Sequence, residues 1–131
     1  MSHLHKNAHL IVSAIIVIAA AFMYGLNPET ILPMVFEFKV EVLELKNIFR
    51  AVMGLYLAFA SYWFFGVFNL THWKYATITN VLFMGGLVFG RVVSTLFDGV
   101  SLQYSIGLLG ELILLFWGIY NIRTKTDIIW D

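Results

Sequence analysis

The chain has 131 residues, of which 60% are apolar and 12% charged. So few charges cannot cover a soluble domain of this size, and the class is integral membrane. Eight basic and eight acidic side chains cancel, which argues against a nucleic-acid partner, and the lack of cysteine excludes disulfides and thiolate metal sites.

Span one runs from about Leu10 to Leu26. Its opening, "HLHKNAHLIVSAIIVIAAAF", has a weakly basic start, an apolar stretch and Ala19-Ala20-Ala21, the makings of a signal peptide with a small-residue cleavage site. We read it as an uncleaved first span. His3, His5 and His9 have metal-ligand chemistry, but they are expected to lie in a frayed tail.

Link one, residues 27–47, is unlike its surroundings. In "MVFEFKVEV" (34–42), Phe36, Phe38, Val40 and Val42 alternate with Glu37, Lys39 and Glu41. That is the period of a strand with one wet face. A helical stripe of Ile31, Val35, Phe38, Val42 and Leu45 competes with it, but β-formers dominate and Pro33 disfavours a helix. We expect an extended segment. It would pair either with residues 100–102 or with its own copy in a homo-oligomer.

Span two runs from about Ile48 to Phe68, with Arg50 in its first turn and Ala51, Gly54, Ala58 and Ser61 at spacings of three and four. Link two is residues 69–74, and His72 is expected at the interface. Span three runs from about Tyr75 to Phe97 and holds Gly86-x-x-x-Gly90 and Arg91. Link three is residues 98–104, and Gly99 after Asp98 is expected to end the helix in a left-handed cap. Span four runs from about Ser105 to Ile122, with Gly107, Gly110, Gly118 and Glu111. Each span is near the ~20 residues that cross a hydrocarbon core. The small residues let helices approach in lipid, mainly within one bundle. Most tryptophans and tyrosines fall near span ends, as an aromatic belt does.

The fold class expected is therefore all-α integral membrane: a single four-transmembrane-helix bundle over residues 1–131, with an extended segment in the first outer loop. Lys6, Lys74, Arg123 and Lys125 favour both termini in the cytoplasm.

Charges inside spans are costly, so each is a candidate for function. Arg91, Ser94, Thr95 and Asp98 share one helix face, and Glu111 lies at similar depth on the next helix. An Arg91–Glu111 pair is the simplest way to hold both, with Arg50 and Asp98 extending it. The candidate binding residues are Arg50, Arg91, Ser94, Asp98 and Glu111. The cluster either binds an anionic headgroup or small acid, or only locks helices in register. No haem-ligand pair, phosphate loop, zinc-protease motif, nucleophile elbow or carboxylate dyad is present, so no catalytic residue, metal or cofactor is assigned.

"FRAVMGLY" (49–56) after Asn47, "GRVVSTLFDG" (90–99) and "GELILL" (110–115) together resemble small four-span bacterial membrane proteins classed as a domain of unknown function, broadly similar to DoxX-like proteins. The resemblance covers most of the chain from Asn27 onward. It implies a four-helix fold in a bacterial inner membrane and, on the DoxX side, an accessory role beside a quinone-linked membrane oxidoreductase. It supplies no activity. The leading expectation is a non-enzymatic protein that binds membrane lipid or a small anion. The alternatives are an oxidoreductase accessory subunit, a proton-coupled transporter using Glu111, and a structural assembly factor.

Overall fold

The computed structural model describes residues 2–125, and their side chains from Lys6 to Thr124. Among the described residues five helices follow in order: α1 (Ser2–Gly25), α2 (Pro28–Val35), α3 (Leu43–Phe68), α4 (Leu70–Asp98) and α5 (Leu102–Lys125). All but α2 are long and apolar enough to cross a membrane. Among the described residues there is no strand.

The helix boundaries follow from local chemistry. Asn69 alone separates α3 from α4: its backbone is extended, and its side-chain oxygen accepts from the Thr71 N–H at 3.2 Å. That N-cap starts α4 at Leu70, so the link of residues 69–74 shrinks to one residue. At the other end α4 stops at Asp98 because Gly99 has φ +112° and ψ 176°. This lies outside the left-handed helical region expected, in backbone space open essentially to glycine alone. The N-terminal residues expected to fray instead begin α1 at Ser2.

By packing, the chain divides into two compact units, residues 12–62 and the remainder, with α1 and α3 shared between them. In the first unit, α2 occupies part of link one. Pro28 sits in its first turn, where a missing N–H costs nothing, and Pro33 lies near its end. The helix therefore includes Met34 and Val35, the first two residues of the expected extended segment.

The remaining residues, 36–42, form neither helix nor strand, although Phe36 itself has extended dihedrals. Their alternation is nonetheless expressed as burial: Phe36, Phe38 and Val40 turn inward while Glu37, Lys39 and Glu41 are exposed. The inward rings join an aromatic cluster. Phe36 stacks with Phe38 at 5.7 Å between centroids, Phe38 with Phe49 at 6.1 Å, and Tyr24 with Phe49 at 6.0 Å. Side-chain packing onto α1 and α3 thus does what ladder hydrogen bonds do for a strand. Val42 breaks the pattern and is exposed.

In the second unit α4 packs along α5, and the first turns of α1 join them. Trp63 donates to the Thr79 hydroxyl at 3.2 Å and meets Phe83 edge-on. Gly66 and Gly118 mark close approaches of helices here: a Cβ on Gly66 would lie 2.5 Å from Ala76. A Cβ on Gly118 would lie 2.8 Å from Val81 and 3.0 Å from the His9 ring. Of the glycines singled out by spacing, Gly107 and Gly118 meet neighbours, whereas Gly54, Gly86, Gly90 and Gly110 face open space.

Candidate functional site

The α4–α5 hairpin assembles most of the expected cluster. Arg91 and Glu111 meet at 2.7 Å, Nε to Oε2, with side chains 18% and 13% exposed. The guanidinium lies 5.3 Å from the centre of the Tyr104 ring, within cation–π range. On α5, Tyr104, Gly107 and Glu111 are spaced to share one face. Gly107 leaves room for the guanidinium, since a Cβ there would come within 3.2 Å of Nη2. The Arg91 carbonyl accepts from Thr95, and the Ser94 hydroxyl donates to Asp98 Oδ2 at 2.9 Å.

A cavity of about 250 Å³ opens beside this pair, lined by Gly90, Arg91, Ser94, Thr95, Gly99, Ser101, Tyr104 and Leu108. Pockets that enclose drug-sized ligands are roughly 300–1,000 Å³, so this one is smaller than those. Its walls are one guanidinium, four hydroxyl-bearing side chains, and glycine and leucine surfaces. Around it the hairpin carries exposed apolar side chains, including Phe89, Leu96, Phe97, Val100, Leu102 and Ile106.

Arg50 does not line this cavity. It belongs to the unit of residues 12–62, where Nη1 donates to the carbonyls of Gly25 at 2.7 Å and Leu26 at 2.8 Å. Those carbonyls end α1, where helical hydrogen bonding leaves acceptors over and the dipole favours a cation. Near it, Lys46 forms an ion pair with Glu29. Arg50 thus has a local structural task, and its sequence spacing said nothing of where α1 would end.

A second polar cluster lies at the opposite end of α4 and α5. His9, Thr77, Asn80 and Asn121 are fully buried and Lys6 nearly so. His9 Nε2 lies 3.0 Å from the Leu114 carbonyl; a carbonyl only accepts, so Nε2 carries the proton. Trp73 donates to the Lys6 carbonyl at 3.3 Å, and Thr77 to the Trp73 carbonyl at 2.9 Å. Sequence reasoning used Lys6 only for orientation and passed over Asn80 and Asn121. The available signal was Trp73, Thr77 and Asn80 at helical spacing inside an apolar span. Among the described residues no group of three His, Cys, Asp or Glu side chains is placed to hold a metal.

Four long apolar helices with charge and hydroxyls gathered between two of them define a multi-pass helical membrane protein. Within that class, the chain belongs to the family described as a domain of unknown function (DUF4345), which it matches over residues 6–120. No curated protein and no solved structure matches it.

Proposed function

We propose that the α4–α5 cavity binds the anionic headgroup of a membrane lipid, or a small acid of like chemistry, and that the protein works by binding and not by a chemical step. The observation that carries this reading is the Arg91 guanidinium in the cavity wall, seated between Tyr104 and Gly107 and held by Glu111. A planar guanidinium presents several N–H groups to an oxyanion in fixed geometry, and a carboxylate behind it holds that geometry. The apolar side chains around the cavity give acyl chains a surface beside the headgroup.

The distribution of lysine and arginine supports both termini in the cytoplasm, which puts this cavity in the outer leaflet. The membrane in this reading is a bacterial inner membrane. Native mass spectrometry from mild detergent tests the proposal. Retained anionic lipid should disappear in Arg91→Ala while circular dichroism stays helical, and Arg91→Lys should retain part of it. Unchanged lipid retention in Arg91→Ala would refute the site. The same spectra weigh the assembly and so test self-association through residues 34–42.

A further inference from the structure

A hydroxyl has one proton and two lone pairs, so the place where its proton goes decides what it offers a ligand. Three hydroxyls in the wall of the α4–α5 cavity spend their protons inside the protein. Ser94 donates to Asp98 Oδ2 at 2.9 Å, Thr95 to the Arg91 carbonyl at 2.8 Å, and Ser101 to Gln103 Oε1 at 3.3 Å. A carboxylate and a carbonyl only accept, which fixes the direction of the first two bonds. The Ser94 bond is also charge-assisted, the stronger kind, so its proton is not readily turned toward a ligand. What these hydroxyls present to the cavity is acceptor lone pairs. Ser94 and Thr95 are exposed and Ser101 half-buried, so their oxygens are open to an occupant.

Arg91 is the opposite case, because a guanidinium only donates. Two helix ends add to each kind. Gly99 follows the last turn of α4, whose carbonyls accept, and Ser101 precedes α5, whose first N–H groups donate. One small cavity thus sets donors suited to an oxyanion beside acceptors that an oxyanion cannot satisfy. A bare anion would bring its own lone pairs against those of Ser94 and Thr95. A ligand that carries O–H groups beside its oxyanion pairs with both. An ammonium donor on the ligand would stand near the Arg91 guanidinium as a like charge, which leaves hydroxyls as the donors that fit.

We infer, resting on the reading of this cavity as an anion site, that its ligand is a polyol phosphate ester, either the headgroup of a phospholipid such as phosphatidylglycerol or a free ester such as glycerol 3-phosphate. The phosphate oxygens go to Arg91, and the polyol hydroxyls donate to Ser94 and Thr95. A site built to pair with a ligand hydroxyl rejects the analogue that lacks it, because its own polar groups are then left unpaired.

Nanodiscs holding equal amounts of phosphatidylglycerol and phosphatidylpropanol with matched acyl chains present one phosphodiester charge with and without hydroxyls. Native mass spectrometry of the full chain released from them reads the ratio in which the two are retained. Glycerol 3-phosphate and propyl phosphate, compared in the same way in detergent, test the free ester as the source. The hydroxylated member of a pair should be preferred by about fivefold or more. A preference in the lipid pair identifies the headgroup, and one in the free pair alone identifies the soluble ester. In the double variant Ser94→Ala, Thr95→Val the ratio should fall to near one, whereas a merely structural loss would lower both members alike. A preference that the double variant leaves intact overturns the inference, as does phosphatidylserine outcompeting phosphatidylglycerol. Equal retention within both pairs, abolished in Arg91→Ala, overturns the polyol assignment and leaves the anion site standing. Retention of no member, or retention that Arg91→Ala leaves intact, overturns both. Should the double variant lose its helical signal, the ratio on the natural chain decides.

Discussion

Replacing Arg91 by Met removes the cation that faces Glu111 across 2.7 Å and leaves a carboxylate only 13% exposed between two helices. Breaking a buried pair by removing one partner costs about 3–5 kcal/mol, chiefly because the survivor keeps its burial and loses its compensation. Both side chains retain some exposure, so the lower end applies: about 3 kcal/mol for Arg91→Met and a similar loss for Glu111→Leu. The double variant strands neither charge and should cost about 1 kcal/mol or less, since apolar replacements of buried pairs are often near neutral. The cycle then yields a coupling of several kcal/mol, far above the ~0.5 kcal/mol expected for independent sites. Reversible unfolding in mixed micelles, followed by circular dichroism, measures all four proteins. Single-variant losses that add within ~0.5 kcal/mol would refute the account of this pair as mutual compensation.

Gly118→Ala should destabilise by about 1–3 kcal/mol in the same assay, because its Cβ would meet Val81 and His9 where α5 cannot easily move away, whereas Gly86→Ala should be near neutral. Arg50→Met should cost about 1–2 kcal/mol by releasing the carbonyls that end α1, without changing lipid retention at the Arg91 cavity. Val40→Asp should cost more than about 2 kcal/mol while Lys39→Asp stays within ~0.5 kcal/mol, since Val40 is 2% exposed and Lys39 faces outward; equal effects would show that the alternation of this segment is not expressed. Asn69→Ala should lose about 1 kcal/mol of stability through the N-cap of α4, with Asn69→Ser restoring most of it.

The Arg91–Glu111 contact was legible because both residues are ionisable, sit in apolar spans and fall at matching depth across a short turn; few other partners were open to them. Arg50 was equally visible as a charge, and the sequence offered it as an extension of that cluster. Its partners are backbone carbonyls of α1, and a carbonyl carries no sequence signal until the helix end is known. The same reason hid the role of His9, whose contacts include the Leu114 carbonyl and the Trp117 ring on α5.

The sequence by itself determined the four long apolar helices, the polar strip from Arg91 to Asp98 and the inward–outward alternation of residues 36–41, because each is a one-dimensional pattern of hydrophobicity read at a helical or extended period. Tertiary structure decided how those patterns were used. The alternating segment became the edge of an aromatic cluster in place of a strand, since Tyr24 and Phe49 offered rings and no neighbouring backbone offered a ladder. Close helix approaches fell at Gly25, Gly66 and Gly118 and not at the Gly86-x-x-x-Gly90 repeat. Which small residue faces a neighbour, and which polar residue is sealed from water, depends on how helices rotate against one another, and composition along a single helix does not specify that rotation.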